Sequence, residues 1–460
     1  MPKMISNPAS DSPKGLDPTG PRPTARPLVA TLTLGCKLNQ AESQSMARVL
    51  EAAGCTTIDR PAPADGYLIN TCTITHTADR KARHLIRMAK RLSPGAPVVV
   101  TGCYADWAKQ RIEDETGADL VLSNRDKSKA PAALLETLRL TQEPAHAKLP
   151  PLPPAEQGGR TRAFLKIQEG CDDVCAFCIV PRVRGREQAR PIAVIVAEAQ
   201  AREAQGALEI VLTGTQPGAY GRDRDDGAAA ATLLESLLCE TTLPRIRYSS
   251  IQPQDLTAAF LEQWQDDRLC RHFHLALQSG SDGVLRRMRR RYDRRSFLRA
   301  LERIRAAVPG ATITTDVIAG FPGETAADFG ATLALCREAK FANIHAFPYS
   351  ARPRTSAAQM SDDVPPPVKR ERVKALQVIA DASAEAARVE SIGQRFAVLF
   401  ERRRGNGSEA FWSGLTDTYL PVQMPCDASP ADLRNRLVPF YVDHQSGGAL
   451  RGRVLELSRF

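Results

Sequence analysis

The chain has 460 residues and a mass of 50.1 kDa, enough for two to four domains at roughly 100–200 residues each. Its 43% hydrophobic and 25% charged content excludes a fibrous, collagen-like or wholly disordered protein. The net charge of +10 and pI of about 9.1 favour polyanionic partners, nucleic acid before membrane. No run approaches the roughly 18 apolar residues of a membrane span. The longest, Pro191–Ala197 and Ala207–Leu212, are strand-sized. The first 28 residues lack the apolar core of a signal peptide. The chain therefore reads as cytoplasmic, with its eleven cysteines serving as buried thiols, metal ligands or catalysts rather than disulfide staples.

In chain order, residues 1–27 read as a disordered leader, rich in proline and without periodicity. Residues 28–143 alternate strands (VATLTL, GYLIN, PVVVTG, DLVLSN) with helices beginning near Ala41, Ala78 and Ala105, the signature of a parallel α/β sheet. A Pro-rich linker, 144–160, follows. Residues 161–360 repeat the strand–helix pattern six times, with strands AFLKIQ, LEIVLTG, IRYSSIQ, HFHLALQS, TITTDVIAG and NIHAFPYS. Six such units with right-handed crossovers can curl into a partial barrel with its chemistry at the C-terminal strand ends. Residues 361–394 read as a connecting helix, and 395–460 as a small β-barrel built on FAVLFE, TYLPVQM and LVPFYVD.

The sharpest motif is Cys171-x3-Cys175-x2-Cys178, directly after the first strand of the six-unit block. Three thiolates on one short loop can hold three irons of a cubane and leave the fourth open. A structural zinc site needs a fourth ligand and usually pairs two Cys-x2-4-Cys arms. A second, dispersed set consists of Cys36, Cys72 and Cys103. Each stands at the end of a strand in the first block, where a parallel sheet gathers its ligand-binding edge. Any one of them could be a buried thiol; three at the same topological position point to a second cluster. Cys55, Cys239, Cys270, Cys336 and Cys426 show no ligand pattern. The seven histidines form no metal or triad motif, and His272 and His274 read as core or lining residues.

The three-cysteine loop, with Phe177 before its last cysteine, resembles the radical S-adenosylmethionine superfamily. The resemblance implies that the open iron chelates S-adenosylmethionine, which is cleaved to a 5′-deoxyadenosyl radical. It also implies cofactor contacts at Thr213, Gly214, Gln278, Ser279 and Gly320. The two cysteine sets together resemble the methylthiotransferases over about Val29–Phe460. That resemblance implies two [4Fe–4S] clusters, S-adenosylmethionine and a C-terminal RNA-binding TRAM barrel.

TLGCKLNQAES (Thr33–Ser43), INTCTITHTADRKAR, FHLALQSGSDGVLRRM, TTDVIAGFPGET and HAFPYSARPRTSAA resemble one branch of the family. That branch acts on N6-threonylcarbamoyladenosine in tRNA, beside the anticodon. The isopentenyladenosine branch usually reads GCQMN at the first cysteine, and the ribosomal-protein branch GCPKN. Thr213–Gly221 (TGTQPGAYG) departs from the branch, which usually has an Ile-His pair followed by Leu-Gly-Ser. The implied partners are tRNA, a flavodoxin- or ferredoxin-like electron donor and a sulfur source. RNA contacts are expected from Arg286, Arg287, Arg289 and Arg290, from Arg402 and Arg403, and from Trp412, with Arg182, Arg184 and Arg186 adding charge beside the cluster loop. The rival readings are a methylthiotransferase of another branch and a non-catalytic iron–sulfur RNA-binding protein.

Overall fold

The computed structural model describes residues 26–139, 161–405, 407–428 and 432–455. Most of the leader and the Pro-rich linker therefore lie outside the described residues. The N-terminal unit is a five-stranded sheet of β1 (Leu28–Thr33), β2 (Thr56–Ile58), β3 (Gly66–Thr71), β4 (Val98–Gly102) and β5 (Leu120–Val121). Their order is β2-β1-β3-β4-β5, and every pair is parallel. Helices α1 (Lys37–Ala52), α2 (His76–Leu92), α3 (Cys103–Thr116) and α4 (Ala130–Thr137) complete it. In α2 the Thr75 side chain caps the first turn, Asp79 sits at the positive end, and Lys90 and Arg91 at the negative end. Its buried face is Ala82, Ile86 and Ala89, a helical spacing. The sheet is covered on both faces, so β3 and β4 are buried throughout.

The middle unit contains β6 (Arg162–Lys166), β7 (Gln168–Glu169), α5 (Val180–Arg184), β8 (Gln188–Ala189), α6 (Ile192–Ala204) and β9 (Glu209–Thr213). It continues with α7 (Ala230–Glu240), β10 (Arg245–Tyr248), α8 (Ala258–Glu262), β11 (His272–His274), α9 (Asp282–Arg287) and α10 (Arg294–Ala307). β12 (Thr312–Ala319), α11 (Ala326–Ala339) and β13 (Asn343–Pro348) end it. Its six long strands form two parallel three-stranded sheets, β10-β9-β6 and β11-β12-β13. Parallel bridges Ile246↔Leu269 and Ile251↔Leu275 join them. The result is a six-unit partial barrel around one large apolar core. One apolar run differs from its strand-sized reading. Pro191–Ala197 opens α6, because its apolar stretch runs on into Ala, Glu and Gln and buries Ile195, Val196 and Ala199 at helical spacing.

Helix α12 (Pro366–Glu390), entered through prolines that pre-set φ, leads to a closed barrel. Its strands are β14 (Arg395–Arg404), β15 (Phe411–Thr416), β16 (Pro421–Pro425), β17 (Arg436–Ser446) and β18 (Ala449–Val454), in the order β14-β15-β16-β18-β17. TYLPVQM was expected as one strand. Its first half is the turn between β15 and β16, with Tyr419 at φ +68°.

Guanidinium groups at the starts of the middle strands clamp that turn. Arg245 donates to the carbonyls of Leu415 and Thr416 at 3.1 and 2.8 Å, and Arg247 to that of Asp417 at 2.9 Å. Arg271 pairs with Asp417 at 2.7 Å.

Candidate active site

The three dispersed cysteines converge. Cys36 caps α1, Cys72 follows β3, and Cys103 opens α3. All three lie at the C-terminal edge of the parallel sheet, and two glycines let their loops close up. Gly35 has φ +121°, and a Cβ there would stand 2.9 Å from the Cβ of Cys72. Gly102 has φ +97°, and its Cβ would meet Asn70 Oδ1 at 2.4 Å and the Thr71 backbone at 2.5 Å. Only glycine fits such close, left-handed positions.

Asn39 laces the loops together. Its Nδ2 donates to the Leu34 carbonyl at 3.1 Å and the Thr71 carbonyl at 2.9 Å. Asn70 returns a bond to the Asn39 carbonyl at 3.0 Å.

The contiguous cysteines occupy the loop between β7 and β8, two short strands paired antiparallel at its neck. Gly170, at φ +74°, passes so near Arg186 that a Cβ would overlap the Arg186 carbonyl oxygen at 1.8 Å. The Cys171 amide donates to the Gly185 carbonyl at 3.1 Å, and Ala176 is tied to Met288 and Ala357 through its backbone. Phe177 packs in a small apolar cluster with Val284, Phe321 and Tyr349.

Both triads open on one cavity of about 920 Å³, lined by all six cysteines and by Phe177, Thr213, Gly214 and Gln278. Ser279 and Gly320, expected as cofactor contacts, are not among its lining residues. Ser279 is buried 3.3 Å from the Thr332 hydroxyl, and a side chain at Gly320 would strike Lys369. The unusual loop after β9 is held from below. Gln168 Oε1 accepts from the Thr215 and Gln216 amides at 3.1 and 3.0 Å, and Gln216 donates to Asp255 at 3.1 Å.

The thiols lie in a setting that suits cluster ligation. Burial pushes Cys72, Cys171 and Cys178 up to about 12 and raises Cys103. As free thiols they keep their protons at neutral pH, whereas a bound metal takes the proton's place. Each triad also has a guanidinium on a sulfur. Arg184 donates to Cys103 Sγ at 3.2 Å, and Arg290 to Cys175 Sγ at 3.2 Å. The donor sets fit thiolate-held cubanes, whose sulfurs accept such bonds.

The expectations for Arg184, Arg290 and Trp412 require correction. Arg184 is buried, bonded to Glu42 at 2.8 Å, Glu169 at 2.9 Å and Asn39 at 2.9 Å, and so spans two units instead of facing RNA. Arg290 points to Cys175, Gln252 and Tyr292. Arg287 is half-exposed and donates to the Gly323 carbonyl at 2.9 Å. Trp412 is 5% exposed in the barrel core, where its ring cannot stack on a base. Arg286, Arg289, Arg402 and Arg403 are exposed.

Sequence reasoning missed several lining residues. His274, read from the sequence as core or lining, lines the cavity with Asp316 and His345, and the three bring their ligand atoms within 4.8 Å of one another. They stand on three consecutive strands, β11, β12 and β13, and that shared position was the available signal. Tyr419 reaches in from the C-terminal barrel and stacks on His272 with ring centroids 4.7 Å apart. No short-range pattern marks it.

Residues 28–123 match the family described as Uncharacterized protein family UPF0004, and residues 165–336 match the Radical SAM superfamily. The chain is 37% identical over 404 residues to Threonylcarbamoyladenosine tRNA methylthiotransferase MtaB of Bacillus subtilis. That alignment covers 86% of this chain and 89% of the relative. The chain belongs to the radical S-adenosylmethionine methylthiotransferases.

The family's cofactors are S-adenosylmethionine and two [4Fe–4S] clusters. A second relative, tRNA-2-methylthio-N(6)-dimethylallyladenosine synthase of Parafrankia sp., is 39% identical over 82% of this methylthiotransferase chain and 78% of its own. Among solved structures, the radical S-adenosylmethionine methyltransferase TsrM from Kitasatospora setae superposes with a TM-score of 0.51. It is 16% identical, covering 72% of this chain and 77% of that one, a likeness of fold. Among the described residues, no helix is long and apolar enough to cross a membrane.

Proposed function

We propose that this chain is a tRNA methylthiotransferase that places a methylthio group at C2 of N6-threonylcarbamoyladenosine beside the anticodon. The observation that carries the reading is that both triads open on one cavity. A substrate base in that cavity is within reach of both. In this reading Cys171, Cys175 and Cys178 ligate the cluster that binds S-adenosylmethionine, and Cys36, Cys72 and Cys103 ligate the cluster that serves sulfur transfer. When bound, the first cluster supplies the electron that cleaves S-adenosylmethionine to the radical. That radical chemistry is needed because no side-chain base could remove an unactivated aromatic hydrogen.

The chain's own residues position the reaction and keep it dry. Arg290 and Arg184 orient one sulfur in each triad. Phe177, Thr213, Gly214 and Gln278 shape the cofactor's wall. Tyr419 closes the cavity from the barrel side. Arg286, Arg289, Arg402 and Arg403 form the exposed surface on which tRNA phosphates rest. An electron donor of flavodoxin or ferredoxin type and a sulfur source complete the partners.

The threonylcarbamoyl branch is favoured over the dimethylallyl branch by the stretch Thr33–Ser43 and by the names of relatives in Bacillus subtilis and Chlamydia pneumoniae. The test is a reconstituted reaction with tRNAs carrying either nucleoside, read by nucleoside mass spectrometry. The expected product is 2-methylthio-N6-threonylcarbamoyladenosine. A product only from the dimethylallyl nucleoside overturns the substrate, and no product from either overturns the activity.

A further inference from the structure

Lys37 follows Cys36 directly and lines the same cavity. Its ammonium stands 5.4 Å from the ring centroid of Tyr419. The same ring faces Arg247 at 4.8 Å and Arg162 at 5.6 Å. Both arginines have carboxylate partners, Glu209 at 2.9 Å for Arg247 and Glu401 at 2.5 Å for Arg162. Among the described residues Lys37 has no carboxylate within ion-pair distance; its recorded partner is the Tyr419 ring. Asp316, on the cavity wall, is engaged by His274 at 3.3 Å. A partly buried ammonium among two other cations is costly unless an anion joins it. The cavity is the route by which one can arrive.

We infer that Lys37 reads the carboxylate of the substrate's N6 substituent. The inference rests on the methylthiotransferase reading above. A threonylcarbamoyl group ends in a carboxylate, whereas a dimethylallyl group carries no charge. On adenine, C2 and C6 flank the same ring nitrogen, and C6 carries the exocyclic N6. A base with C2 turned toward the Cys36 triad therefore carries its N6 substituent beside that triad, where Lys37 lies. The ammonium donates to the carboxylate while it faces the Tyr419 ring. Selectivity then comes from a buried charge that an apolar substituent leaves unpaired.

The test is tRNA binding by the reconstituted holoenzyme. One tRNA carries N6-threonylcarbamoyladenosine and the other carries its methyl ester, which removes only the charge. The wild type binds the carboxylate form about tenfold more tightly or better, the effect of one charge-assisted hydrogen bond. In Lys37→Met the preference disappears, affinity for the ester is unchanged, and iron content matches the wild type. Lys37→Arg restores part of the preference. Three results overturn the inference: a Met variant that keeps the preference, one that weakens both tRNAs equally as a phosphate contact would, or one that loses iron. A wild type without the preference overturns it as well. If that wild type still methylthiolates the threonylcarbamoyl nucleoside, the proposed function stands without it.

Discussion

Arg184 shows how one side chain can join two chemical centres. It leaves α5 in the middle unit, six residues after the cluster loop, and ends on Cys103 of the N-terminal sheet while pairing with Glu42 and Glu169. Removing it leaves the buried Glu42 and the half-buried Glu169 with Lys127 and Lys166 as their cations. Arg184→Met is expected to destabilise the protein by roughly 3–5 kcal/mol, measured by urea unfolding. Gly102 makes a complementary case. Gly102→Ala forces a left-handed alanine into the Asn70 and Thr71 contacts, a strain of about 1–3 kcal/mol before the clash is counted. The expected outcome is an iron content near four atoms instead of eight, as the dispersed triad opens. Both glycines were visible in the sequence beside their cysteines, but not as requirements. Their role depends on a loop some 30 residues away in sequence, which no local pattern encodes.

At the scale of elements, the starts of β9 and β10 are joined to the C-terminal barrel through a buried carboxylate. Burial alone would raise Glu209, but the guanidinium groups of Arg247 and Arg245 outweigh it and hold the carboxyl at about 2. The folded value lies below the ordinary 4.5, so the stabilisation is fully present above pH 4.5. It is lost as pH falls from there toward 2. Glu209→Gln is expected to be less stable at pH 7 and to lose less stability across that acid window, as followed by thermal unfolding at stepped pH.

The alternation of six strands with helices was legible because apolar runs and helical stretches follow one another regularly along the chain. Pro191–Ala197 misled because a short apolar run looks the same at the start of a buried helix as in a strand. Trp412 misled for a related reason. In a five-stranded barrel alternate residues point inward, and composition does not say which face a given aromatic takes.

At the scale of the whole molecule, the dispersed triad was legible because parallel strands bring their C-terminal ends to one edge. The contacts between units were not, since Tyr419, Lys37 and Arg184 meet partners from separate parts of the chain. The exposed arginines make a separate prediction. Replacing Arg402, Arg403 and Arg404 by Ala leaves Tyr419 and the cavity in place, and is expected to weaken tRNA binding at low salt. If each arginine neutralises one phosphate, the slope of log affinity against log salt shrinks by about 0.7–0.9 per residue. An unchanged slope would remove this face from the RNA contact.

In the proposed function the two triads on the one cavity divide the work. The most direct measurement of that division is a single digest of a reduced reaction with Cys36, Cys72 and Cys103 all replaced by Ala, quantifying 5′-deoxyadenosine and methylthio nucleoside together. The expected digest contains 5′-deoxyadenosine and no methylthio nucleoside. A digest that contains the methylthio nucleoside, or that lacks 5′-deoxyadenosine, would contradict the division.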